Sequence, residues 1–393
     1  MTKLKVRTPA DLISAVPFLI GFHPADSLVV AAVKGAQLAF AARIDLPEPG
    51  VPDLEARAPV LHLATLIAEQ APEGIVLIGY GESTRVTPSL LHLSRTLAAA
   101  GLRIIDEFRV TDGRYWSYLC TNPSCCPTEG TPCDPPDSLV ATEATFAGAV
   151  ALPSRKDLEA QLAPLTGDDR IAMGEADVRA LSRMIELLRG EQGDERRPIT
   201  NATTTSATAP RPSAAQHFAL PVFQPSARPT GRDERRKLRA GRIAVREAEH
   251  RYRTGGRLTD DEVAWLGLLL ECLPVRDYAW IRSGLDDWQV TLWSDIVRRV
   301  DPQRVPAPAS LLAFIAWRTG RGPLASIAVD RALETDQTYA LAGAINAALF
   351  LATPPSSVDG WPTPVGSPLR LSGEETGPVR EHRRRSTARS SRR

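Results

Sequence analysis

Gly74-Ile75-Val76-Leu77-Ile78-Gly79 is a wholly apolar, largely branched run closed by glycine at both ends. A stretch this short and this uniformly apolar predicts a strand buried on both faces, which needs strands beside it and helices above and below. The flanking sequence supplies them. Upstream, Ser27 to Val33 and Gln37 to Leu46 are β-compatible runs separated by Lys34-Gly35-Ala36, a hairpin pattern in which glycine takes the reversal. Val60 to Gln70 carries Leu61, Ala64, Ile67 and Ala68 at helical spacing, with Pro59 at or near the first turn. Downstream, Thr87-Pro88 reads as an N-cap and first helical residue, with Leu90, Leu93, Leu97 and Ala98 as the buried stripe and Gly101 closing the helix. Arg103 to Val110 and Arg114 to Leu119 form a second hairpin turning at Asp112-Gly113. The order ββαβαββ, followed by a helix over about 138–150, predicts a mixed sheet covered by helices.

Helical patterns over 156–163 and 175–189 extend this α/β domain, set at 1–190. Residues 191–230 are polar and proline-rich with no period, and read as a disordered linker. Helical signal returns at Arg232 and persists to about Ala352, giving an all-α domain over 231–352. Gly255-Gly256 ends its first helix and Thr259-Asp260-Asp261-Glu262 has capping-box spacing for the second. Further helices are expected around 286–300, 309–318, 324–334 and 339–351, and residues 353–393 read as a disordered basic tail. Leu312, Ala313, Ala325, Val329 and Ala332 approximate one tetratricopeptide-like helix pair, but a single unit favours a compact bundle over a solenoid. Trp265, Trp280, Trp288, Trp293 and Trp317 are expected in its core.

At 393 residues the chain exceeds one ordinary core, and 43% apolar with 24% charged residues places it among globular proteins. A net charge of +1 gives no global field to attract nucleic acid or a membrane surface. Leu12 to Phe22 is apolar but interrupted by Pro17, and lacks a small-x-small cleavage pattern. With no run long enough to span a bilayer, a cytoplasmic protein is expected, with reduced thiols.

Two stretches in the N-terminal domain carry a resemblance. Asp11-Leu12 through Gly21-Phe22-His23-Pro24-Ala25-Asp26-Ser27-Leu28-Val29-Val30 is one, and Trp116-Ser117-Tyr118-Leu119-Cys120 with Cys125-Cys126-Pro127-Thr128-Glu129-Gly130 is the other. Together they resemble the actinobacterial family catalogued as domain of unknown function 4192. Ala309 to Ala342 is similar to the end of the same family. The resemblance implies the two-domain organisation and brings no activity or residue role with it.

The sharpest local feature is the cysteine spacing C-x4-C-C-x6-C at Cys120, Cys125, Cys126 and Cys133. Zinc takes soft ligands at tetrahedral corners, so these thiols, with His23 as a remote ligand, form a candidate metal site set against a packed loop with structural thiols. Adjacent side chains point apart in extended backbone, so Cys125 and Cys126 can share an ion only within a tight turn, which Pro123 and Pro127 would enforce. A deaminase centre is disfavoured, because its H-x-E motif is absent and Pro123-Ser124-Cys125-Cys126 has the wrong spacing. A second candidate is the loop pair at the strand ends. His23, Asp26 and Ser27 precede one strand, and Gly79, Gly81 and Ser83 follow another, where open α/β sheets bind ligands. The bland alternatives are an Asx-type turn and a simple strand-to-helix connection. Two basic stretches complete the inventory: residues 232–257 carry ten basic and four acidic residues, and residues 380–393 carry seven arginines and one glutamate.

The leading expectation is a regulatory or interaction protein that binds a protein partner or small ligand. An enzyme working at the strand-end loops of the N-terminal domain is the first alternative. A nucleic-acid-associated protein using the basic helix and tail is the second. No membrane partner is expected, and zinc is the one cofactor the residues suggest.

Overall fold

The computed structural model describes residues 7–34, 37–51, 53–133, 140–146, 148–189 and 231–358. The linker expected over 191–230, the arginine tail beyond 358 and the Gly35-Ala36 reversal lie outside these residues. The chain enters on helix α1 (Pro9–Ile20), where Thr8 accepts from the Asp11 N–H while the Asp11 carboxylate accepts from the Thr8 N–H. This reciprocal capping box marks Leu12 to Ile20 as helix, an element the sequence reading passed over because Pro17 and the apolar run drew attention to targeting.

Strands β1 (Ser27–Lys34) and β2 (Gln37–Asp45) form the expected antiparallel hairpin. Helix α2 (Asp53–Glu69), strand β3 (Gly74–Tyr80), helix α3 (Ser83–Ala99), and strands β4 (Ile104–Thr111), β5 (Arg114–Ser117) and β6 (Thr131–Pro132) follow. The mixed sheet has the order β2-β1-β3-β4-β5-β6, with β3 and β4 parallel and the other pairs antiparallel. Every residue of β3 is buried. The pleat divides the apolar side chains between two layers: Leu28, Val30, Ile75 and Leu77 pack with Leu63, Ile67, Leu90 and Leu93 of α2 and α3. Val29, Ala31, Val76, Ile78 and Tyr80 face the core that includes Ile13, Val16 and Ile20 of α1.

Two helix starts differ from expectation. Pro59 and Pro88 both lie inside their helices, because α2 begins at Asp53 and α3 begins at Ser83 after Glu82, which makes no side-chain cap bond. The local proline signal therefore marked the second turn rather than the first. The stripe expected on α3 is buried at Leu90, Leu93 and Leu97, whereas Ala98, in the last turn, is exposed. The second hairpin turns as expected, with Asp112 and Gly113 both at positive φ (50° and 71°), the conformation of a type I′ turn.

Helices α4 (Val140–Phe146), α5 (Arg155–Ala160) and α6 (Gly167–Arg189) lead away from the sheet. The helical region comprises α7 (Arg232–Arg253), α8 (Asp260–Leu270), α9 (Leu273–Ile281), α10 (Asp287–Arg299), α11 (Pro306–Arg318), α12 (Gly322–Thr335) and α13 (Ala340–Phe350). The Thr259–Glu262 capping box opens α8, and α11 is buried along nearly its whole length, which makes it the axis of the bundle. Helix α9, with Pro274 in its first turn, was not anticipated. Trp265, Trp280, Trp293 and Trp317 are buried, whereas Trp288 is half-buried at the margin. Helix α6 packs on α8, so that its Met173, Ala176, Ala180 and Met184 join the same apolar cluster as the helical region. Among the described residues no helix is long and apolar enough to cross a membrane.

Candidate functional site

Because β1 runs antiparallel to β3 while β4 runs parallel to it, the start of β1 and the ends of β3 and β4 meet at one end of the sheet. Ser27 pairs with Tyr80, and Tyr80 with Val110. The loops that leave these ends, 22–26, 81–82 and 111–113, border one cleft of about 620 Å³. Helix α1 crosses it with Ile13, Ser14, Pro17 and Phe18, and Cys133 and Ala141 close the far side. The backbone there is held in uncommon conformations. Asp26 has φ 40° and Gly81 φ 130°, and a Cβ at Gly81 would stand 3.0 Å from the Asp26 Oδ1. The Asp26 carboxylate is fixed by Arg85, its Nη1 2.7 Å away, and the Thr111 hydroxyl donates to the Gly81 carbonyl. At the mouth, the Ser14 hydroxyl donates to the Cys133 carbonyl at 2.8 Å.

Tyr80 lines this cleft at 7% exposure, and its buried hydroxyl has no hydrogen-bond partner among the described residues. Burial first, and the neighbouring Cys133 second, push the Tyr80 hydroxyl far above its ordinary range, so it stays a neutral O–H. The cleft thus offers an apolar wall that includes Tyr80, whose hydroxyl is buried, together with the His23 imidazole and the carboxylates of Asp26, Glu82 and Asp112. No arginine or lysine is among the described residues that line it. That composition suits a neutral or cationic head group better than a phosphate.

Of the residues singled out from sequence, His23, Asp26 and Gly81 line the cleft. Ser27 is fully buried in the sheet, and Gly79 packs against α3, where a Cβ would meet Val86 at 2.2 Å. Ser83 is the first residue of α3. Tyr80, Thr111 and the α1 side chains were not singled out. The available signal was the alternation Val76, Ile78, Tyr80, which ends an apolar strand face on a hydroxyl at a strand end.

The cysteines divide. Cys133 lines the cleft, as His23 does, whereas Cys120, Cys125 and Cys126 bring their sulfurs within 4.8 Å of one another. This trio lies along β5, toward Asp106 and away from the Tyr80–Val110 end: the Cys120 N–H donates to Ser117 Oγ at 3.0 Å, and Ser117 Oγ donates to Asp106 at 2.8 Å. A tight turn solves the problem of adjacent cysteines. The Asn122 carbonyl accepts from the N–H groups of Cys125 (3.1 Å) and Cys126 (2.8 Å), and its side chain accepts from the Ser124 N–H at 3.0 Å. The returning strand is clamped by Trp116, whose indole N–H donates to the Thr128 carbonyl at 3.0 Å. Its ring lies 2.6 Å from where a Cβ at Gly130 would stand. Cys120 is held below the ordinary thiol range, first by its hydrogen bond with Cys126 and then by the Asn122 backbone. Cys126 is pushed up to about 12, chiefly by its hydrogen bond with Cys120.

The basic helix α7 uses much of its charge internally. Arg251 bonds Glu262 at 2.7 Å, Arg236 donates to the Leu188 carbonyl at 2.6 Å, and Arg242 lies 5.3 Å over the Tyr278 ring. Just beyond it, Arg257 pairs with Asp295.

Comparison with known proteins adds a family and nothing further. The model of a domain of unknown function (DUF4192) matches residues 9–221 and 207–356, and the chain belongs to that family. No curated protein and no solved structure matches it.

Proposed function

We propose that this member of the DUF4192 family binds a small organic molecule, with an apolar body and a neutral or cationic nitrogen-bearing head, in the cleft at the ends of β3 and β4. The observation that carries this reading is the Tyr80 side chain, whose buried hydroxyl has no hydrogen-bond partner among the described residues, in a cleft that Asp26 and His23 also line. An unsatisfied buried hydroxyl costs about 1–3 kcal/mol, a cost that a ligand would offset by donating an N–H to the phenolic oxygen, as a cationic head does, or by accepting its O–H, as a neutral carbonyl or ring nitrogen does. The proposal takes the protein as cytoplasmic. A thermal-shift and calorimetric panel of small amines, amides and nitrogen heterocycles tests it on the full chain. At least one class should raise the melting temperature, and Tyr80→Phe should weaken that binding about tenfold while leaving the protein alone equally or more stable. A panel that binds nowhere at millimolar concentration, or equal binding by both proteins, overturns the reading. An enzyme would use the same cleft, so any ligand found is also the compound to assay for turnover.

Attachment to a protein is a second reading, favoured by α6. Ile171, Val178 and Ile185, with Leu181 between them, stand exposed at seven-residue spacing on the face opposite the one that packs on α8. A seam of this period fits another helix of the same period, and a second copy of α6 supplies one in an isologous pair. Sedimentation of the full chain should show a dimer that Val178→Glu dissociates; a monomer at all concentrations excludes this pairing.

A further inference from the structure

We propose that Cys120, Cys125 and Cys126 hold one zinc ion through three thiolates, with the fourth coordination position open to water. Tetrahedral zinc with sulfur at about 2.3 Å sets its ligands roughly 3.8 Å apart. The three sulfurs, already within 4.8 Å of one another, need a closure of about an ångström, within the reach of side-chain rotation. They arrive on two separately fixed arms: the exit of β5, where Ser117 anchors the Cys120 N–H, and the Asn122 turn, which sets Cys125 and Cys126 on one side. Positioning of this kind exists before any ion enters.

The segment around the thiols has no apolar interior. Residues 121–125 are all exposed, and the Trp116 clamp on Gly130 is the first buried point on the return. Short segments without a core of their own are commonly ordered by a metal or a disulfide. An all-sulfur donor set selects zinc over magnesium or calcium, which require oxygen. On binding, each thiol gives its proton to solvent and the ion accepts three sulfur lone pairs, leaving the centre with a net charge of −1. Cys133 and His23 are left out of the centre because they line the cleft at the other end of the strands. The zinc centre and the ligand cleft therefore share no residue.

The test uses the full chain, purified under reducing conditions without a metal-affinity tag. Elemental analysis should give about one zinc per chain. Titration with a mercurial should release that zinc in proportion to three thiols, a readout that needs no variant to fold. Cobalt(II) added to metal-depleted protein should give sulfur charge-transfer and intense tetrahedral visible bands. Cys120→Ser, Cys125→Ser and Cys126→Ser should each lose at least nine-tenths of the metal, whereas Cys133→Ser and His23→Ala should retain it. Protein that takes up neither zinc nor cobalt overturns the proposal, as does zinc retained in Cys125→Ser. Oxidation of the trio to a disulfide in the presence of stoichiometric zinc overturns it as well, and assigns the thiols to redox chemistry.

Discussion

Gly81 illustrates how one residue fixes the cleft. Its φ of 130° is a conformation side chains rarely adopt, and the Asp26 carboxylate stands where a Cβ would point. Gly81→Ala should therefore cost about 2 kcal/mol in urea unfolding, and displace Asp26 from Arg85. Gly101, also at positive φ (81°) but with open space around it, is the comparison: Gly101→Ala should cost about 1 kcal/mol. Equal costs would mean that crowding at Asp26 contributes nothing. The same contrast explains what was legible. Polar and glycine residues in loops, such as His23, Asp26 and Gly81, stand out in sequence because nothing about a core calls for them. Tyr80 did not, because an aromatic residue ending an apolar strand reads as core until its hydroxyl is found without a partner. The cysteines converge only because the Asn122 turn replaces extended backbone, and a turn of that kind is set by the hydrogen bonds of one side chain and one carbonyl.

Elements were legible where their ends carry reciprocal chemistry. The Asp112-Gly113 hairpin and the Thr259–Glu262 cap follow from two to four residues each, and the structure forms both. Starts read from proline were placed too late, since Pro59 and Pro88 stand in the second turns of α2 and α3, one turn beyond the position proline ordinarily marks. What no local pattern shows is the charge network that fastens α7 and α8 to α10. Asp295, 7% exposed, accepts from Tyr252 and Arg257, and from Arg299 at 2.8 Å, while Arg299 also reaches Asp260 at 2.6 Å and the Leu258 carbonyl at 2.9 Å. Burial alone would raise the Asp295 carboxyl, but these hydrogen bonds together outweigh it and hold it below the ordinary carboxylate range. A depressed carboxyl contributes stability above its unfolded value of about 3.9, and that contribution is lost as pH falls through the lower folded value. Asp177 and Asp330, which burial pushes up, act in the opposite sense and are relieved by acid. Asp295→Asn should cost about 3 kcal/mol at pH 7 by leaving Arg299 partly uncompensated, and the gap from the native chain should narrow below about pH 4. A gap independent of pH would show that packing, not charge, is what the substitution removes.

At the scale of the whole molecule the question is where one folding unit ends. The sequence placed the boundary at 190, where the periodic pattern dissolves. Yet α6 buries Met173, Ala176, Ala180 and Met184 in the apolar cluster it shares with α8, and polar ties cross in the same region. The Leu165 N–H donates to the Arg298 carbonyl at 3.0 Å, Arg170 meets Asp301 at 2.8 Å, and Arg304 meets Asp177 at 3.0 Å. On the other side of the sheet, the His62 ring of α2 stacks on Phe350 at 4.0 Å. The single cluster runs from Ile13 of α1 to Ile345 of α13, so the two halves should unfold together. Calorimetry of the full chain should then give one endotherm whose calorimetric and van't Hoff enthalpies agree, whereas two independent domains would give two. A chain cut after Arg189 keeps α6 but removes its partner, exposing those four apolar side chains, so it should bind hydrophobic dyes and self-associate. A chain cut after Ala163 removes α6 as well, and should be better behaved than the longer fragment. If the longer fragment proves the more stable and soluble of the two, α6 belongs to the sheet rather than to the helical region, and the physical boundary lies where the sequence pattern placed it.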